Sequence, residues 1–116
     1  MSEIEVVEYE NDSGKNVFAL WLASLDIKAF AKVNAAVARM RHGNFGDVKP
    51  VGEGVSERRI DFGPGYCIYF GRDGQKLVIL LGGGTKSRQD RDISDAQAAW
   101  QEYKQSKKRK PNHGTD

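Results

Sequence analysis

The chain has 116 residues, enough for one domain around one hydrophobic core and too few for a catalytic domain with a separate regulatory one. Hydrophobic residues make up 39% and charged residues 29%, which excludes wholesale disorder and a fibrous repeat, and no apolar run approaches the roughly 20 residues that a membrane span requires. The net charge of +2 is unevenly divided: residues 1–26 hold one base against six acids and the remainder 17 bases against ten acids, so an acidic opening precedes a basic body able to meet phosphates.

The acidic start, Met1-Ser2-Glu3-Ile4-Glu5, lacks the basic and apolar blocks of a signal peptide. Cys67 is the single cysteine, which excludes an intramolecular disulfide and a thiolate zinc site. The expectation is a cytoplasmic chain with no membrane contact, no metal and no cofactor.

In chain order, Ile4–Tyr9 alternates acids with apolar residues and predicts an edge strand. Asp12-Ser13-Gly14 offers a turn and helix-start chemistry, after which Phe18, Trp21, Leu22 and Leu25 share one helical face. Asp26 is placed to cap a second helix with Phe30, Val33, Val37 and Met40 along its stripe, and Gly43 to stop it. Residues 43–54 hold so many glycines that a connecting loop is expected. Three strands follow, Val55–Phe62, Tyr66–Gly71 and Lys76–Leu81, divided by Gly63-Pro64-Gly65 and Arg72-Asp73-Gly74, and they read as an antiparallel meander. The continuous run Leu77–Leu81 marks its strand as buried on both faces and central. Asp92 is placed to cap a last helix carrying Ile93, Ala96, Trp100 and Tyr103. The predicted class is α+β, in the order strand, helix, helix, three strands, helix, with one domain over residues 1–105 and a mobile basic tail over 106–116.

Several ordered motifs stand out: Trp21-Leu22 and Leu25-Asp26 in the helices, then a loop from Gly43 to Lys49 reading Gly-Asn-x-Gly-Asp-x-Lys. Glu57-Arg58-Arg59 follows on a strand, then the hairpin Gly63-Pro64-Gly65-Tyr66 and the loop Gly84-Thr85-Lys86-Ser87-Arg88-Gln89. Over residues 15–100 the chain resembles the HigB-like addiction-module killer proteins of the bacterial RelE/ParE toxin superfamily. The resemblance implies a small antiparallel sheet with an N-terminal helical hairpin packed on it. It also implies the toxin of a type II toxin–antitoxin module, held in check by a cognate antitoxin that carries a helix-turn-helix domain. Two activities divide that superfamily: cleavage of messenger RNA on the ribosome, and noncatalytic inhibition of DNA gyrase. The first is the leading expectation, the second the alternative, and a degenerate toxin that keeps only its antitoxin surface is a third.

Metal-free RNA cleavage by the 2′-hydroxyl needs a base, cations on the phosphorane oxygens and an acid for the leaving 5′-oxygen. If Ile60 and Phe62 face the core, alternation turns Glu57, Arg59 and Asp61 to the opposite face, where a substrate could lie. Arg59 suits the phosphorane; the alternative for it is a surface ion pair with Glu57 or Asp61. Lys49 and Lys86 sit in glycine-flanked loops and match family lysines, and Lys86 shares its field with Arg88 and Arg91. Asp90 could orient a lysine or accept a proton, and alternation favours Tyr69 over Tyr66 as the phenol on the face of Arg59. The expected catalytic set is Arg59, Lys86, Lys49, Tyr69 and Asp90, with Arg58, Arg88, Arg91 and Lys49 on RNA. His42 closes the second helix and His113 lies in the tail, so neither reads as a catalyst.

Two departures from the family pattern bear on that set. Cys67 stands where the family has an arginine, and Arg58 where it has an apolar residue. The run Gly82-Gly83-Gly84-Thr85-Lys86-Ser87 is no nucleotide-binding P-loop, because Thr85 replaces the glycine required before the lysine.

Overall fold

The computed structural model describes residues 3–109 and has the α+β architecture. In chain order the elements are β1 (Glu5–Glu8), α1 (Val17–Ala23), α2 (Ile27–Arg41), β2 (Val48–Gly52), β3 (Val55–Ile60), β4 (Tyr66–Arg72), β5 (Leu77–Thr85), a 3₁₀ turn (Lys86–Arg88) and α3 (Gln89–Arg109). The sheet order is β1-β5-β4-β3-β2. Four strands are antiparallel neighbours, but β1 runs parallel to β5, pairing Glu5 with Leu77 and Glu8 with Leu80, so the sheet is mixed rather than the antiparallel one expected. The connection permits parallel pairing, since the chain meets β1 again only at β5, after a helical hairpin and three further strands.

The order also gains a strand. Residues 48–52, expected within a loop, pair with β3 across a tight turn in which Gly52, Glu53 and Gly54 all have positive φ, at 98°, 58° and 86°. Their glycines are therefore turn residues of a hairpin, where the left-handed region is cheap, and not signs of irregular chain. Pro50 is tolerated in β2 because β2 is an edge.

Side-chain chemistry explains the helix boundaries. The Asn16 side chain accepts from Ala19 N–H at 2.9 Å and caps α1, displacing the expected start at 12–14, where Asn11 instead organises a turn by accepting from the Ser13 and Lys15 N–H groups. Asp26 caps α2 as expected, accepting from Ala29 N–H at 2.9 Å, and Gly43 follows the C-cap with φ of 88°. The buried stripe of α2 is Ala29, Val33, Ala36, Val37 and Met40; Phe30, expected in it, is turned outward and is 40% exposed. Small alanines let the helix lie close to the sheet, which rotates the stripe by one residue.

Helices cover both faces. The hairpin α1–α2 packs Phe18, Val33 and Met40 against Ile68, Phe70, Val78 and Leu80 on one face. On the other, α3 packs Ala96 and Trp100 against Val55, Tyr69, Ile79 and Leu81. The strand at the centre is consequently β4, buried from Tyr66 to Gly71, while the apolar run of β5 lies beside it. Each burial is worth roughly 25 cal/mol per Å² of apolar surface removed from water. The run Gly82–Gly84, expected to follow the strand, is part of β5: a Cβ on Gly83 would overlap the Trp21 ring and one on Gly84 the Asp92 carboxylate, so small residues admit both coverings.

Helix α3 begins at Gln89, so Asp92 lies within its first turn instead of capping it. It continues to Arg109, past the expected domain boundary at 105, and Lys107 pairs with Asp73 of the β4–β5 turn while Tyr103 donates to the same carboxylate at 2.6 Å. Residues 110–116 of the expected tail lie outside the described residues. Among the described residues no helix is long and apolar enough to cross a membrane.

Two substitutions test this packing. Gly83→Ala should cost about 1–3 kcal/mol in urea unfolding, because the Trp21 ring is held between Phe18 and Tyr66 and cannot step aside cheaply. The hydrogen bonds from Lys107 and Tyr103 hold Asp73 below the usual carboxylate range, so its contribution is present at neutral pH and fades as pH falls through the folded value. Asp73→Asn should lose at most about 1 kcal/mol at pH 7, and its unfolding curve should converge with that of the unaltered chain below the carboxylate range.

Candidate functional site

The face of the sheet beneath α3 is closed at one end and open at the other. Strand β3 turns Val55, Glu57 and Arg59 toward α3, in register with Gly71, Tyr69 and Cys67 of β4. Trp100 closes the Val55 end. At the Arg59 end the start of α3 stops short, and a cleft of about 260 Å³ opens, lined by Asp47, Arg59, Asp61, Gly65, Tyr66, Cys67 and Lys86. Arg59 and Lys86 thus come together from β3 and the β5–α3 connection. Gly65, at a φ of 88°, lies against the Lys86 side chain and leaves its ammonium room.

Behind Arg59 is a carboxylate with no exposed surface at all. Glu57 is 0% exposed. Its Oε1 accepts from Gln89 Nε2 at 3.0 Å, and its Oε2 lies 3.6 Å from Arg59 Nε and 4.0 Å from Lys49 Nζ. Both Oε2 distances are ion-pair separations, and Oε2 has no hydrogen-bond partner among the described residues. Lys49 is directly opposite Glu57 on β2, and Tyr69 opposite it on β4. The expectation that Glu57 shares the substrate-facing side with Arg59 is met in direction only, because Gln89 at the head of α3 seals it from solvent.

The other expected residues are distributed around this core. Tyr69 shares the face of Arg59, but it is 0% exposed beneath α3, its hydroxyl has no hydrogen-bond partner among the described residues, and burial pushes its pKa upward. A buried phenol that resists ionisation is poorly placed to touch a substrate. Arg58 faces the other way, toward α1 and α2: its guanidinium packs under Gly46, donates to the Arg59 carbonyl at 2.6 Å, and has its pKa lowered by burial and by Arg39. The helical-hairpin side takes this cation at the position where the resemblance has an apolar residue because the Gly46 backbone, with no Cβ, leaves it a slot. Lys49 borders Glu57 and does not line the cleft. Arg88, Asp90 and Arg91 are exposed on the 3₁₀ turn and first turn of α3, beyond the cleft wall.

Asp47 and Asp61 supply two carboxylates to the cleft that the expected catalytic set lacks. Asp47 could have been found from its place between Gly46 and a strand, where a short acid commonly ends a loop; Asp61 was already grouped with Arg59 by alternation. Gln89, a neutral side chain in a basic loop, carried no signal of its role against Glu57. Among the described residues no group of three or more His, Cys, Asp or Glu side chains is arranged to hold a metal ion.

A second cleft, of about 530 Å³, lies at the far end of the sheet between the β4–β5 turn and α3, beside Trp100, Tyr103 and Lys104. It holds none of the expected catalytic residues, and its Asp73 is already taken by Lys107 and Tyr103. The smaller cleft is therefore the candidate site, since Arg59 and Lys86 converge there on carboxylates that make no hydrogen bond to Lys107 or Tyr103.

Cys67 lines that cleft while remaining 2% exposed, and burial, reinforced by the nearby Glu57 charge, pushes its thiol above the ordinary range. It is a packed strand residue with little thiolate. Iodoacetamide at pH 8 should label the folded chain far more slowly than the urea-unfolded chain, by mass spectrometry; equal rates would show an accessible thiolate.

No family model matches the chain, and no solved structure matches it. A protein of Haemophilus influenzae described as an uncharacterized protein is 49% identical over 86 residues, which cover 73% of this chain and 87% of that protein. At that identity over most of both chains the two share a fold and a core, and the chain belongs to the same family as the Haemophilus influenzae protein.

Proposed function

We propose that the chain is the toxin of a type II toxin–antitoxin module that cleaves messenger RNA in the cytoplasm, on the ribosome, by metal-free attack of a 2′-hydroxyl, and that its sheet and helical hairpin are of the RelE-like kind. The observation that carries this reading is the convergence of Arg59 and Lys86 on one open cleft with two carboxylates beside them. Such a set matches what the reaction requires. The motif resemblance over residues 15–100 supports it independently of the geometry.

In the proposed reaction, Arg59 and Lys86 lie on the nonbridging oxygens as the phosphorane forms, where charge develops. The 2′-hydroxyl gives its proton to Asp47 or Asp61, and its oxygen bonds to phosphorus. The bond to the 5′-oxygen breaks, that oxygen takes a proton from the Lys86 ammonium, a cyclic phosphate remains on the upstream fragment, and the protonated carboxylate returns a proton to Lys86. Arg88 and Arg91, exposed just outside the cleft, add a positive field along the strand's phosphates. A cognate antitoxin with a helix-turn-helix domain is the proposed partner, blocking the cleft through acidic side chains on Arg59 and Lys86.

One observation favours the alternative of a noncatalytic gyrase inhibitor. Tyr69 is sealed from solvent and Cys67 replaces a family arginine, so the cleft holds fewer acid and cation groups than the resemblance implies. Mapping RNA 5′ ends after induction separates the two, since new ends inside codons arise only from cleavage. Arg59→Ala and Lys86→Ala should stay folded and bind antitoxin more weakly, and each should lose about 3 kcal/mol of transition-state stabilisation, on the order of a hundredfold in cleavage rate. Lys28→Ala, exposed on α2 across the sheet, should cleave normally. Growth arrest without RNA cleavage in the unaltered chain would assign it to gyrase.

A further inference from the structure

The buried Glu57 carboxylate is the feature that packing alone does not explain. A charge withdrawn from water costs several kcal/mol in its own right, and replacing a whole buried ion pair by well-packed neutral residues commonly leaves a protein as stable or more so. Glu57 is nonetheless sealed beneath α3, with Lys49 facing it across β2–β3, Arg59 two residues on along β3, and Gln89 closing over it. The hydrogen bond to Oε1 comes from a neutral amide, and among the described residues the charge on Oε2 is met by the two cations.

The geometry of the Arg59 contact is specific. Glu57 Oε2 approaches the Nε edge of the guanidinium, at 3.6 Å, and not its terminal nitrogens. At this distance the contact is an ion pair and not a hydrogen bond, so the buried charge draws the guanidinium by its Nε edge and leaves its two Nη groups for another anion. Arg59 is one-third exposed and lines the cleft, so the free end is the end that a phosphate in the cleft would meet. Lys49 is more than half exposed and sits on the same carboxylate from the edge strand. Gln89 ties the arrangement to the head of α3, three residues after Lys86, so the two cations of the cleft are held by one connected piece of structure.

We propose that Glu57 is a positioning residue: a buried carboxylate that fixes the guanidinium of Arg59 by its Nε edge and aims its Nη groups into the cleft, with Gln89 locking the carboxylate's own rotamer. The positioning stands on the geometry; its effect on RNA cleavage rests on the function proposed above. The arrangement trades stability for direction, since an unpaired long cation at the same place would sample many rotamers and lose orientation each time a phosphate arrived.

Glu57→Gln, which keeps the shape and removes the charge, tests the proposal. Its melting temperature should be unchanged or higher, while the Arg59 Nε–Hε NMR signal, displaced by the buried charge in the unaltered chain, should move to the averaged position of a freely rotating arginine. Cleavage of a model RNA should fall on the order of a hundredfold, as for a misplaced catalytic group, mostly in kcat. An Arg59 Nε–Hε signal unchanged in folded Glu57→Gln would overturn the positioning role, as would a loss of kcat matched by global destabilisation. If Glu57→Gln does not fold, Glu57→Asp, which keeps the charge but draws it back by one methylene, takes the same NMR readout. A displaced Arg59 signal that moves to the averaged position on substitution, in a chain that cleaves no RNA before or after, would leave the positioning standing and remove the nuclease reading.

Discussion

The double covering of the central strands is the constraint on which the rest of the molecule depends. Strand β4 is buried from both sides, by α1–α2 on one face and α3 on the other, and two glycines of β5 make room for it at Trp21 and at Asp92. A side chain at either position would push a helix off the sheet. Helix α3 shuts the Val55 and Tyr69 end of its face and stops short of the Arg59 end. The cleft is thus the part of a covered face that the last helix does not reach, and the residues that line it are those that alternation sends to that face beyond the helix's first turn.

The same covering turns an expected surface ion pair into a buried one. Glu57 and Arg59 would make an ordinary exposed pair, worth little, on an open sheet. With Gln89 over Glu57, the carboxylate loses its water and the cations beside it keep theirs, so the interaction is stronger and more directional while its cost in desolvation is higher. Asp92 feels the same burial at the head of α3, which raises its pKa against the opposing field of Arg88. At the far end of that helix burial and the Asp73 hydrogen bond push Tyr103 up to about 12, keeping it a donor across the working pH range. Helix α3 is therefore attached at both ends by polar contacts and in the middle by Trp100, and the proposed chemistry lies beside its N-terminal end, where the cleft opens.

Much of this was legible in the sequence because it depends on local periodicity and on residues with one dominant use. The Asp26 cap, the Gly43 stop, the hairpin turns at Gly63–Gly65 and Arg72–Gly74, and the two-sided burial of Leu77–Leu81 each follow from neighbours within a few positions. Alternation along β3 also placed Arg59 and Tyr69 on one face. What the sequence could not decide were the quantities set by distant partners. Glycines at 52 and 54 mean a loop or a hairpin turn depending on whether residues 48–51 find an edge to pair with, and those at 82–84 mean a strand end or a close approach depending on which rings arrive. Phe30 and Ala29 compete for the same stripe, and the distance between helix and sheet, not hydrophobicity, chose the alanine. Whether Tyr69 and Glu57 meet solvent or lie beneath a helix depends on where a segment some twenty to thirty residues later comes to rest. Exposure, charge pairing and the outline of the cleft belong to the tertiary structure, because each is a property of a space between elements and no single segment of the chain encloses one.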